Sequence, residues 1–413
     1  MSIREHADAV WRGEKSDNIA SFSPGRRPVE DIVDGIGFYS GFGNTIAFQG
    51  AGELALFDTG NPMGAAQLHE GIRGWSSDPL VTAIFSHGHI DHVSGMQPFD
   101  AEGHGTEVIA HEAIVDRFER YVLTNGYNAV INQRQFQAPG LTWPTEYRQP
   151  DLSYRDELTV KRAGWTFEMF HAKGETDDAT VAYVPEARVL LPGDMFIWVT
   201  PNCGNPQKVQ RYPREWALAL RRMATLGAEI MLPSHGAPIF GADRVEQALV
   251  ETAEWLESMV GQTLDLLNAG ERLDTIVQAV RPPSHLGERP YLKALYDEPE
   301  FVVRNLWRQY GGWYDGNPAR LKPAPDAVLA ARLADLAGGA VRLGEAALQA
   351  LRDGDHRLAG HLAELAVQAA PADRGLHGIR AEVYGTRAAS EASLMARGVF
   401  TWAASESRRL ADS

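Results

Sequence analysis

The chain has 413 residues, 44% hydrophobic and 23% charged, and 39 Lys/Arg against 54 Asp/Glu leave a net charge of −15. Those values exclude a disordered or fibrous chain and predict two or three domains, each able to bury a core. The acidic balance speaks against nucleic-acid binding and polybasic membrane contact. The single cysteine, Cys203, excludes internal disulfides, cysteine-based zinc fingers and iron–sulfur clusters.

From Met1 to His6 the chain runs into polar sequence without an apolar signal region, and no run of about 18 apolar residues follows. The expectation is a soluble cytoplasmic protein. Up to about residue 240, short apolar runs alternate with glycine and proline. Those at 53–57, 81–85, 107–110 and 189–191 suit buried strands, and the mixture with helical stretches predicts α/β or αββα layers. The period then changes. Val245, Leu249, Leu256, Val260, Leu264 and Leu267 form a helical stripe, with Asp243 as expected N-cap and Gly270 as stop. Further helices are predicted near 291–310, 326–352, 355–369, 373–385 and 389–407, with turn chemistry at Asp315-Gly316-Asn317-Pro318. The division is thus a catalytic-type domain at 1–240 and an all-helical domain at 241–413.

The strongest chemical signal is Ser86-His87-Gly88-His89-Ile90-Asp91-His92, directly after the strand-like run 81–85. Three imidazoles and a carboxylate within six residues suit zinc and similar divalent ions. A turn that projects His87 and His89 to one side places Asp91 and His92 on another, which serves two metals. Matching strand ends follow downstream: Glu175 after Gly174, Asp194 after Pro192-Gly193, and His235 after Pro233-Ser234. Taken singly, Asp194 is also a plausible turn former and His235 a satisfied loop histidine; the repeated syntax favours one shared site. No phosphate-binding loop, nucleophile elbow or H-E-x-x-H motif is present.

H-x-H-x-D-H, the later Gly193-Asp194 and Ser234-His235-Gly236 resemble the metallo-β-lactamase fold. Asp58, in Leu56-Phe57-Asp58-Thr59-Gly60, matches that fold's early strand-end aspartate. Where most of these hydrolases carry a histidine, this chain has Gly174-Glu175-Thr176, and a glutamate 19 residues before Asp194 resembles the alkylsulfatase branch. Tyr310-Gly311-Gly312-Trp313-Tyr314-Asp315-Gly316-Asn317-Pro318 is similar to a run in that branch's helical dimerisation domain. The resemblance covers roughly residues 35–405. It leaves out the sterol-carrier-like third domain of full-length alkylsulfatases.

The resemblance implies an αββα sandwich followed by an all-helical domain, and a homodimer. It implies that His87, His89 and Glu175 hold one divalent ion, that Asp91, His92 and His235 hold a second, and that Asp194 bridges them. Zinc is the first expectation for both. Asp91 and Asp194 are then the catalytic carboxylates around a metal-bridging hydroxide, with Asp58 and His171 as supports behind the ligands. The implied reaction cleaves an alkyl sulfate ester to alcohol and inorganic sulfate. Same-fold hydrolysis of a lactone, thioester or phosphodiester, or a redox di-iron site, are the alternatives. Two M²⁺ ions against three carboxylates and a hydroxide make a neutral core, so an anionic or amphiphilic ester calls for added cations. Arg211, in Arg211-Tyr212-Pro213-Arg214-Glu215-Trp216, resembles the branch's sulfate-contacting arginine, and Lys208 precedes it. Tyr127, Asn132 and Arg134, in the insert between the two metal motifs, are further substrate candidates. Phe136, Trp143, Phe196 and Trp198 are candidates to host an alkyl chain.

Overall fold

The computed structural model describes residues 1–19 and 28–413. Thirteen strands form two sheets among these residues. The first runs in sequence order: β1 (Glu30–Val33), β2 (Ile36–Tyr39), β3 (Thr45–Gly50), β4 (Glu53–Phe57), β5 (Leu80–Ile84), β6 (Glu107–His111) and β7 (Leu152–Tyr154). Its first four strands pair antiparallel and β4 to β7 pair parallel. The second sheet comprises β8 (Glu157–Arg162), β9 (Trp165–Ala172), β10 (Ala179–Val184), β11 (Val189–Leu191), β12 (Ile230–Met231) and β13 (Ile239–Phe240). It is antiparallel except for β11 and β12.

Helices α1 (Ile3–Trp11), α2 (Ala65–Trp75), α3 (Ile90–Val93), α4 (Gln97–Asp100), α5 (Ile114–Leu123), α6 (Asn125–Phe136) and α7 (Pro213–Ala224) are interleaved with the strands. After them come α8 (Ala242–Asn268), α9 (Leu273–Ala279), α10 (Pro299–Gly311), α11 (Asp326–Ala337), α12 (Ala340–Arg352), α13 (His356–Ala369), α14 (Arg374–Ser390) and α15 (Leu394–Asp412). None is long and apolar enough to cross a membrane among the described residues.

Strand β4 shows why the sheets stack. Leu54, Ala55, Leu56 and Phe57 are all fully buried, so both faces of the strand are covered. Ala55 and Phe57 point inward with Phe38, Phe48, Phe167 and Met169, in a core shared by the two sheets. Leu54 and Leu56 point outward with Leu68 and Ile72 of α2 and Ile114 and Phe118 of α5. On the far side, α7 and α8 pack together and against the second sheet. The layers are therefore αββα, as expected from the sequence.

Two compact units emerge. One holds residues 1–125, 143–271 and 275–312; the other holds 126–142, 272–274 and 313–413. They do not follow the change of sequence period at 240, because the buried stripe of α8 (Val245, Leu249, Leu256, Val260) packs within the first unit. Gly241, not Asp243, is the N-cap of that helix; Asp243 sits in its first turn, where a carboxylate favours the helix dipole. Pro299 delays the helix expected from 291, and Gly338-Gly339, both at positive φ, split the one expected over 326–352.

In the second unit, small residues let helices approach closely. Ala347 and Ala350 of α12, Ala359 and Ala363 of α13 and Val383 of α14 form one buried cluster. The insert carrying α6 joins this unit: Gln137 Nε2 donates to Gly398 O (2.8 Å), and a Cβ on Gly398 would lie 2.5 Å from Gln135 O. Ala363→Leu should overpack the cluster and cost about 1–3 kcal/mol, read as a lower urea midpoint for the helical unit with metal content retained.

Candidate metal centre

The seven expected ligands gather at the strand ends of the two sheets. His87 and His89 occupy the loop after β5, and Asp91 and His92 lie on α3. Glu175 follows β9, Asp194 follows β11 and His235 follows β12. Ligand atoms of His87, His89, Glu175 and Asp194 lie within 4.8 Å of one another, as do those of Asp91, His92 and His235. Asp194 Oδ2 faces both groups, 3.8 Å from His87 Nε2, 3.5 Å from His92 Nε2 and 3.4 Å from His235 Nε2. Asp91 Oδ2 lies 3.5 Å from His92 Nε2 and 3.3 Å from His235 Nε2. His89 Nδ1 stands 3.9 Å from Glu175 Oε1.

The donor set fits divalent ions. His92 Nε2, both oxygens of Asp194, both ring nitrogens of His235 and Glu175 Oε2 are buried without a hydrogen-bond partner. Buried polar atoms are rarely left so. Apart from His235 Nδ1, these atoms belong to the two groups of facing donors, with the nitrogen and oxygen chemistry that zinc and its neighbours accept.

The protonation preferences divide the cluster. Burial pushes His87 down to about 4 and His89 well below the ordinary imidazole range, which keeps both rings neutral and able to ligate. Burial also acts on His92 and His235, but Asp194 and Asp91 outweigh it; His92 is raised strongly and His235 reaches about 10. Those imidazoles in turn overcome burial at Asp91 and Asp194 and hold both carboxyls well below their usual range. Glu175 goes the other way. Burial lifts it to about 7 against the pull of Arg211.

Asp58, at the end of β4, takes a positive φ of 61°. Its carboxylate accepts from Ser86 N (2.7 Å), Ser86 Oγ (2.8 Å) and Ser234 Oγ (2.6 Å) and lies 2.9 Å from His92 Nδ1. With the proton on Nδ1, the Nε2 lone pair of His92 faces the cluster. His87 Nδ1 lies 3.0 Å from Ser86 Oγ, and Asp178, which the sequence did not reveal, braces the backbone of the next residue. Its Oδ2 accepts from Gly88 N (2.8 Å) and its Oδ1 from Arg117 Nε (2.7 Å), all buried. The Asp177-Asp178 pair just after Glu175 was the available signal. His171 supports more remotely: it stacks on His111 with ring centroids 3.7 Å apart, and its Nε2 lies 2.8 Å from Asp177 O.

Arg211 is buried and reaches the cluster, pairing through Nη1 with Glu175 Oε1. The same Nη1 donates to Asn202 O (2.8 Å), while Asn202 Nδ2 donates to Glu175 Oε1. Asn202 was missed because a lone Asn eight residues after Asp194 carries no pattern. Arg211 Nε has no partner among the described residues. Lys208 Nζ lies 5.3 Å above the ring of Trp143, and burial and Arg211 push its ammonium down to about 7. Tyr127, Asn132 and Arg134 lie on α6, within the helical unit. Tyr127 is exposed and Asn132 Nδ2 donates to Asn128 O. Phe196 and Trp198 are core residues beside Tyr291, whereas Trp143 faces Lys208.

Asp58→Asn should weaken divalent-ion binding about 10- to 100-fold, because the amide cannot accept from all of its neighbours. Chelator competition on the purified protein measures this.

Residues 39–235 match the family model of the metallo-beta-lactamase superfamily, and residues 272–409 match that of alkyl sulfatase dimerisation. The chain is 28% identical over 361 residues to a linear primary-alkylsulfatase of Pseudomonas sp. (strain ATCC 19151), covering 80% of this chain and 67% of that one. It is 23% identical over 335 residues to an (R)-specific secondary-alkylsulfatase of Pseudomonas sp., covering 74% and 50%. The solved structure of a stereoselective inverting sec-alkylsulfatase from Pseudomonas sp. superposes with a TM-score of 0.83 at 22% identity, over 92% of this chain and 65% of that one. The chain thus spans about half to two thirds of the length of these relatives. A domain matching the metallo-beta-lactamase superfamily and a helical domain matching alkyl sulfatase dimerisation thus follow one another along the chain, and the curated relatives it is similar to over both are alkylsulfatases.

Proposed function

We propose that this protein hydrolyses alkyl sulfate esters to an alcohol and inorganic sulfate at a dinuclear metal site. The observation that carries the reading is the placement of a buried guanidinium, Arg211, directly on the cluster carboxylate Glu175. The guanidinium keeps Glu175 toward its carboxylate form, and its Nε, without a partner among the described residues, remains as a donor for an anionic ester. The likeness to alkylsulfatases in both halves of the chain supports the same reading.

His87, His89, Glu175 and Asp194 would hold one ion; Asp91, His92, His235 and Asp194 would hold the other. When bound, two divalent ions, zinc the first expectation, supply Lewis acidity and bring the ionisation of a shared water near neutral pH. The residues supply the rest. Asp58 fixes the tautomer and direction of His92. Asp91 and Asp194 stay ionised, and with Glu175 in carboxylate form they reduce the charge of the ion pair. Arg211 Nε and the ammonium of Lys208 provide positive charge for the ester's sulfate oxygens. Trp143, under Lys208, offers an apolar face for the first carbons of the alkyl group. Burial of His87, His92, Glu175, Asp194 and His235 lowers the local dielectric and strengthens these interactions.

Sulfate release from zinc-loaded protein over a series of alkyl sulfates tests the proposal. Release should depend on metal and vanish in Asp194→Ala. Arg211→Ala should lower kcat/KM about 10- to 100-fold, the equivalent of a charged hydrogen bond worth roughly 1.5–3 kcal/mol. A protein that holds two ions yet releases no sulfate would sink the substrate assignment and direct attention to lactones and phosphodiesters.

A homodimer forms the second part of the proposal. It is supported by the dimerisation match and by exposed Val328, Leu329 and Leu336 on α11. Sedimentation velocity should give twice the chain mass, and Leu329→Glu with Leu336→Glu should shift it to the monomer.

A further inference from the structure

Helix α10 lies well outside the metal-motif sequence, yet it packs within the same compact unit and faces the segment that carries Asn202 and Arg211. Three contacts fix it there. Asp297, two residues before α10, is fully buried; its Oδ2 accepts from Gly204 N and its Oδ1 from Glu298 N (2.8 Å). Thr200 Oγ1 donates to Asp297 O (3.0 Å), so the residue holds both ends of the 200–204 loop. Gly204 then meets the backbone of α10 directly: a Cβ there would lie 2.3 Å from both Phe301 C and Val302 N. One turn further on, Asn305 Nδ2 donates to Arg211 O (3.0 Å), and its Oδ1 accepts from Gln210 Nε2 (3.0 Å).

The loop so held carries Asn202, whose amide donates to Glu175 Oε1 and whose carbonyl accepts from Arg211 Nη1. The chain of contacts is continuous and buried, from α10 through Asp297 and Asn305 to the carboxylate–guanidinium pair at the ligand cluster.

We propose that Asp297 and Asn305 are positioning residues: α10 acts as a clamp that orients Glu175 through Asn202 and Arg211 through its own backbone. The effect falls on one half of the cluster. Asp91, His92 and His235 are oriented instead by Asp58 and by one another, and the clamp contacts named above do not involve them. The proposal rests on the assignment of Glu175 to a metal ion, and its test separates the two.

The zinc-loaded protein is challenged with a colorimetric chelator and zinc release is followed in time. The release phase that His89→Ala abolishes marks the ion held by His87, His89 and Glu175. In Asp297→Asn, whose side chain cannot accept at both positions, that phase should accelerate about tenfold, with the other phase unchanged. Asn305→Ala should raise KM for the sulfate ester with kcat little changed, because it frees the Arg211 backbone. Gly204→Ala, which drives the loop off α10, should reproduce the Asp297→Asn release pattern. Unchanged release in a folded Asp297→Asn overturns the clamp and leaves the metal assignment standing. So does equal acceleration of both phases with a general loss of thermal stability. Wild-type protein that retains no zinc overturns both.

Discussion

The site depends first on the buried carboxylate of Asp58. It stands at the end of β4 in the first sheet and accepts from Ser86 after β5 and from Ser234 after β12 in the second. One side chain thus ties together three strand ends from two sheets, and the candidate ligands His87, His92 and His235 stand on or beside the tied segments. Such a group is costly to bury unless every lone pair is used. Here two hydroxyls, a backbone N–H and an imidazole use them, and the positive φ of Asp58 shows that the backbone bends to allow it.

Around that anchor the electrostatics split in two. Asp91, His92 and His235 compensate one another, so their carboxyl and imidazoles shift apart in the direction expected of ion pairs. His87, His89 and Glu175 are governed by burial, which disfavours charge on all three. A cation suits the second group only if something holds Glu175 ionised, and Arg211 is the nearest permanent charge. The same guanidinium is held by Asn202 O, its backbone is held by Asn305, and its Nε has no partner among the described residues.

The helical half of the sequence contributes to the site in a way its pattern does not announce. Helices α8 and α10 read as continuations of an all-helical region, yet they pack within the unit that holds the metal ligands. The insert bearing α6 does the reverse, joining the helices near the C-terminus through Gln135, Gln137 and Gly398.

The sequence by itself determined the elements and the ligand types. Runs such as 54–57 and 189–191 are apolar at successive positions, short and bounded by turn residues, which suits a strand covered on both sides. The histidine–aspartate motif and the Gly or Pro before Asp194 and His235 were legible because ligand chemistry and turn chemistry are both local. What joined β4, β5, β9, β11 and β12 at one edge is long-range strand pairing, which leaves no mark at any single position. Asp178, Asn202, Asp297 and Asn305 act through a few hydrogen bonds to groups distant in sequence, so their residue types alone could not distinguish them from ordinary polar positions. The fate of α6 and α10 was decided by tertiary packing for the same reason: a helix's apolar stripe says that it must be covered, and only the folded chain decides by what.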